Sequence, residues 1–311
     1  MSPSLGAAEL LGPLVDAPDL PEVEVRDLRR AASVEVTLED LVEVARVARD
    51  ARREGTVGLV VTQGTDTLEE AAFALELLGA GPVVVTGAMR HPGSLGADGP
   101  ANLAAALRVA AHPATRDLGA LVVMNDEVHA ARFVRKTHTA SPAAFASPVA
   151  GPLGDVVEGR VRLRTRVSAL APIDARPPFP PVPLVTVALD DDGLALGALG
   201  ALGVGGLVVE APGGGHVPAR HVPVLADLAR RVPVVLASRT GSGPVLGATY
   251  GYPGGEVDLL GRGLVAAGSL DARHARVALL LLLSAGADRD AVAAWFAAVD
   301  QPAPDPSLRY H

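Results

Sequence analysis

Three stretches of the chain carry residues able to do chemistry. In "VTQGTDTLEEAAF" (61–73) an apolar run meets a glycine, and Thr65 and Asp66 follow before a helical pattern begins. A structural reading is open: Asp66 with Glu69, and Thr67 with Glu70, have the spacing of helix-capping pairs. The functional reading uses the same geometry. Ligands of open α/β sheets sit beyond the carboxyl ends of the strands. A helix N-terminus there offers free N–H groups to a carboxylate or a developing oxyanion. Thr65 becomes a nucleophile if a base reaches its hydroxyl. The candidate base is Lys136 in "MNDEVHAARFVRKTHT" (124–139), with a solvated surface lysine as the alternative. Between them, "VTGAMRHPGSLGADGPANL" (85–103) is a long glycine-proline loop after a strand, a place where function concentrates.

The elements that must position these residues alternate along the chain. The Val-rich runs at 57–63, 81–88 and 118–126 are continuous rather than alternating, as in strands buried on both faces of a parallel sheet. Helical patterns at 66–79 and 98–112 separate them, the first ending at a glycine and the second near His112-Pro113. A proline-rich break at 172–185 interrupts the rhythm. Beyond it come strand patterns in 204–218 and 232–244, a helix over 220–231, and long helical stretches at 271–286 and 288–299. The expectation is two α/β domains. The larger, residues 1–174, has a mainly parallel sheet flanked by helices. A linker at 175–183 leads to a smaller parallel α/β domain at 184–311.

Composition narrows the function. The 311 residues are 49% hydrophobic and 20% charged, enough for two packed cores. A net charge of −8 argues against nucleic acid or an anionic membrane as partner. There is no cysteine, which excludes disulfides, thiolate catalysis and cysteine-ligated metals. The first twenty residues lack the pattern of a signal peptide. The run at 277–287 is too short to span a bilayer. A soluble, cytoplasmic protein is expected.

Taken together, "TQGTDTLEE", "GAMRHPGSLGADGPANL" and "VRKTHT" resemble motifs of the bacterial-type L-asparaginase family. The resemblance continues through "ASRTGSGPV" and "GLVAAGSLDARHAR" and spans essentially the whole chain. It implies hydrolysis of the asparagine side-chain amide through a threonine acyl-enzyme, with no metal or organic cofactor. It implies a triad of Thr65, Lys136 and Asp66. A lysine acting as base must be neutral, whereas a neighbouring Asp66 favours its charged form, so desolvation would have to offset that pull. It also implies substrate contacts from Gly64, Thr65 and Asp66, from Ser33 to the α-carboxylate, and from the backbone of Ala88 to the side-chain amide. Glu256 would be lent by a neighbouring subunit of a homodimer or homotetramer.

Three departures from the family pattern carry expectations of their own. The family's opening Thr-Gly-Gly-Thr-Ile strand motif and the tyrosine loop after it are absent, and residues 4–14 already resemble the segment beyond that loop. The resemblance implies that this motif supplies the family's first catalytic threonine and an oxyanion-hole N–H, so its absence would impair the chain. A natural product extending upstream is preferred, because the rest of the site is maintained; a truncated, weakly active or inactive relative is the competing explanation. Val34 stands where glutamine is expected after Ser33, and Gly214 where asparagine is expected, which suggests altered affinity or amide preference. A non-catalytic amino-acid-binding relative is the alternative function. An amidotransferase subunit should carry an extra N-terminal domain, and the glycines of "APGGGHVP" lack dinucleotide-binding spacing.

Overall fold

A computed structural model describes residues 6–14, 17 and 20–300. The expected second domain therefore runs past the described residues at 301–311, and the 4–14 segment begins before them. The chain separates into two compact units, Met1–Pro172 and Ile173–His311.

The first unit opens with α1 (Ala7–Leu11) and α2 (Leu38–Arg53). The sequence reading did not identify α2. Its start is a true capping box: Thr37 accepts from the Asp40 N–H, and the Asp40 carboxylate accepts from Thr37 N–H at 2.8 Å. The α/β core comes next, as β1 (Leu59–Thr62), α3 (Leu68–Leu77), β2 (Val83–Thr86), α4 (Gly99–Ala111) and β3 (Ala120–Met124). Strands β1, β2 and β3 pair in parallel, in that order. Val84, Leu121 and Val123 pack with Ala105, Ala106 and Val109 of α4. Alternation turns Val83, Val85 and Val122 to the other face, where α3 contacts β2 and β3. Burial on both faces is why β2 and β3 read as unbroken apolar runs. The same reading of β1 is corrected: it ends the described sheet, is only half-buried, and Thr62 is exposed. Leu75 and Leu121 are almost fully buried, so truncating either to alanine costs about 2–5 kcal/mol.

Beyond β3 the sheet turns antiparallel. Asn125 and Asp126, both at positive φ, make the tight turn into β4 (Glu127–Ala130). The two-residue strands β5 (Arg135–Lys136) and β6 (Phe145–Ala146) pair outside the main sheet. Then β7 (Gly154–Val157) pairs with β4, and β8 (Arg160–Leu163) completes the order β1-β2-β3-β4-β7-β8. The strand expected over 118–126 thus ends at Met124, because its last two residues reverse the chain.

The second unit is a parallel sheet ordered β12-β11-β10-β9. Its elements are β9 (Leu184–Thr186), α5 (Leu194–Ala201), β10 (Leu207–Ala211), α6 (Val222–Arg231), β11 (Val234–Ser238), α7 (Glu256–Gly261), β12 (Val265–Ala266), α8 (Ala272–Ser284) and α9 (Arg289–Ala298). Residues 175–183 belong to this unit. Ala175 and Val182 are buried, and the Val182 carbonyl accepts from Arg276 Nε at 2.7 Å. Among the described residues no helix is long and apolar enough to cross a membrane.

Candidate active site

The carboxyl ends of β1, β2 and β3 release three loops on one edge of the first unit's sheet. The β1 loop turns through Gln63, Gly64, Thr65 and Asp66, with Thr67 leading into α3. The expected capping at this helix start does not form: Thr67 accepts no side-chain cap bond. Its hydroxyl instead donates to the Ser33 carbonyl at 2.6 Å and accepts from Gln63 Nε2 at 3.1 Å. The Asp66 N–H donates to Ser33 Oγ at 3.2 Å. Ser33, itself buried, therefore stitches the turn together. A Cβ on Gly64 would sit 3.0 Å from Ser33 Oγ, so glycine permits this close approach.

The turn presents Thr65 and Asp66 to Lys136. Lys136 Nζ donates to Thr65 Oγ1 at 2.8 Å and to Asp66 Oδ1 at 2.7 Å. Thr65 is 9% exposed and the Lys136 side chain 16%, while the Asp66 side chain is 64% exposed. The hydroxyl and amine are thus shielded, and the carboxylate beside them reaches solvent. Register pins the lysine from behind: Lys136 pairs with Phe145, and the Thr137 N–H donates to the Ala144 carbonyl at 2.7 Å.

Ala88 lies in the β2 loop. Asp98 accepts from the N–H groups of Met89 and Arg90, each at 2.9 Å. Asn102, buried in the first turn of α4, donates to the Gly87 carbonyl at 3.0 Å and accepts from the Asn125 N–H at 2.9 Å. One amide thereby joins the ends of β2 and β3. The sequence reading named neither Asp98 nor Asn102. A buried amide inside an apolar helical pattern was the available signal.

Glu256 belongs to the second unit, at the start of α7. It is fully buried. Oε1 accepts from the N–H groups of Thr249 and Tyr250, both at 2.8 Å, and Oε2 lies 3.1 Å from His216 Nε2. Burial works to raise its pKa, but the two backbone donors and His216 outweigh it and hold the carboxyl below its ordinary value. His216 also meets Tyr250 and Tyr252 edge-on, with ring centres 4.9 and 5.7 Å apart. Gly214 has its own reason to lack a side chain: a Cβ there would lie 2.7 Å from Leu246 Cδ1. Val34 is exposed and joins none of these contacts.

A further signal lay in the plain count of residues. Of 27 basic side chains, Lys136 is the only lysine; every other is arginine. A guanidinium cannot give up its proton in a protein, whereas an amine can. The one side chain of that kind stands against Thr65 and Asp66.

Known families and proteins resemble this chain over most of its length. A family model described as "Asparaginase, N-terminal" matches residues 1–169, and one described as "Glutaminase/Asparaginase C-terminal domain" matches 181–296. A probable L-asparaginase of Deinococcus radiodurans is 43% identical over 76% of this chain and 74% of its own length. An L-asparaginase of Bacillus licheniformis is 32% identical over 90% and 89%. The crystal structure of a probable cytoplasmic L-asparaginase from Campylobacter jejuni superposes with a TM-score of 0.86 at 29% identity, covering 95% of each chain. The chain belongs to the asparaginase family.

Proposed function

We propose that this chain is an amidohydrolase that converts L-asparagine to L-aspartate and ammonia. The observation that carries the reading is the contact of the only lysine with both Thr65 Oγ1 and Asp66 Oδ1. The L-asparaginase names of the relatives support the substrate.

The arrangement suits acyl transfer. Thr65 Oγ attacks the amide carbon while its proton passes to Lys136 Nζ, which requires the amine in its free form once substrate is bound. The tetrahedral intermediate collapses as Lys136 returns that proton to the departing nitrogen, releasing ammonia and leaving a threonine ester. Water then attacks the ester carbon, gives a proton to Lys136, and frees aspartate and the Thr65 hydroxyl. Asp66 orients the lysine and turns negative charge toward the substrate ammonium. Ser33 Oγ, which accepts from Asp66 N–H, keeps its own proton to donate to the α-carboxylate. The backbone at Ala88 receives the side-chain amide.

The proposal includes assembly as a homodimer or homotetramer, with Glu256 serving a partner's site. A cytoplasmic setting is supported by the description of the Campylobacter relative. Ammonia release from asparagine and from glutamine tests the reaction directly, with Thr65→Ala as the control. Shared sites predict that, at asparagine below KM, a mixture of Thr65→Ala and Glu256→Ala chains is more active than the two chains assayed apart. Aspartate binding without ammonia release would replace hydrolysis with simple amino-acid recognition.

A further inference from the structure

Lys136 is held at its backbone as well as at its amine. Its N–H donates to Glu69 Oε2. Glu69 is only 3% exposed and sits in the first turn of α3, three residues after Asp66. A buried carboxylate is costly unless donors satisfy it, and this one takes a backbone N–H from a segment 67 positions away. The contact spans two elements that share no strand pairing. One is α3, which follows directly on the turn that carries Thr65 and Asp66. The other is the two-residue strand β5, which lies outside the main sheet and, among the described residues, pairs only with β6. So short a strand supplies little rigidity of its own.

We propose that Glu69 is a positioning residue: its carboxylate fixes the backbone of Lys136 so that Nζ meets Thr65 and Asp66 together. The inference rests on the hydrolytic reading above, because it concerns the placement of that reading's base. Thr65, Asp66 and Glu69, in one turn and the helix that follows it, then grip the lysine at both ends, the amine from one side and the peptide N–H from the other. Removing the grip leaves the amine free to swing, and a misplacement of about 1 Å in such a group costs about 10²-fold in rate.

The single lysine makes the test clean. Protein labelled with ¹⁵N-lysine gives one backbone amide signal, that of Lys136. In the unaltered chain a downfield amide proton is expected, since it donates to a carboxylate. Glu69→Ala should move that proton upfield and lower kcat about 10²-fold, with KM for asparagine within about twofold. Glu69→Gln keeps a carbonyl oxygen in place. It should retain part of the downfield shift and recover most of kcat, and it stands in if the alanine variant does not fold. An amide signal unmoved by both substitutions overturns the inference, as does a moved signal with kcat unchanged. Absence of ammonia release by the unaltered chain counts against hydrolysis, while the amide signal still reports whether Glu69 grips Lys136.

Discussion

In the first unit, Lys136 lies among two oxygens of one turn, and the carboxylate partnering it remains mostly in water. In the second, Glu256 is wholly enclosed, with two peptide N–H groups and an imidazole on its two oxygens. Both are charged groups beside glycine-rich turns, yet they are handled in opposite ways. The first arrangement leaves Asp66 open to an incoming cation. The second already satisfies its carboxylate within its own unit, so any ligand contact by Glu256 must compete with His216. A residue suggested by family resemblance can therefore be present in sequence and still be occupied by its own surroundings.

The sharpest way to break this contrast is Lys136→Arg. The charge and its bond to Asp66 can persist, but the proton cannot be exchanged, so kcat should fall about 10³-fold in an ammonia-release assay. Retained activity would remove the amine from the chemistry. Adding Thr65→Ala should cost little more, because groups acting as a unit are not additive.

Next in size is an acid effect confined to the first unit. His129 is fully buried on β4, with Nδ1 3.0 Å from Ser147 Oγ, and burial lowers its pKa from 6.5 to about 4. The unfolded chain then binds a proton that the folded chain refuses. The stabilising contribution is complete above pH 6.5 and is lost as pH falls toward 4, by about 3 kcal/mol at most. Hydrogen exchange of the β3 and β4 amides should register this slope, and His129→Leu should flatten it. Trp295, the only tryptophan, lies in α9 and reports the second unit instead.

Two smaller effects probe the second unit. Gly214→Asn should destabilise it by only about 0.5 kcal/mol, because the Leu246 side chain it meets is exposed and can turn aside, and a paired Leu246→Ala should remove the effect; thermal unfolding followed by Trp295 fluorescence measures both. His216→Gln should change KM for asparagine less than Glu256→Ala does, the latter by about tenfold. The lowered Glu256 pKa has a matching consequence. Its stabilisation holds above the ordinary carboxylate range and is lost as pH falls through the folded value, so Glu256→Gln should weaken that acid limb. Equal KM values in all three proteins would make the enclosed carboxylate purely structural.

Legibility in the sequence depended on range. The runs of valine at β2 and β3 were legible because burial on both faces leaves an unbroken apolar string, while β1 carries the same kind of run at a half-buried sheet edge. The strand pair β5 and β6 was not, since two residues carry no period. The capping pattern misled at Thr67, where tertiary contacts with Ser33 take the hydroxyl, while the box that forms, at Thr37 and Asp40, went unread. Thr65 and Lys136 are 71 positions apart, so no local pattern joins them. Family resemblance brought them together. Glu69 was read as a helix-start acid because nothing local distinguishes a capping carboxylate from one that reaches across to another strand.

The solitary lysine has a practical side. Reagents that couple to amines, such as activated esters used for polymer conjugation or aldehydes used for immobilisation, have one side-chain target in this chain, and it stands beside Thr65. Conjugation through amines would modify that group alone among the side chains. Attachment through activated carboxylates would threaten it too, because Asp66 is exposed and its activated carboxyl would meet the Lys136 amine 2.7 Å away.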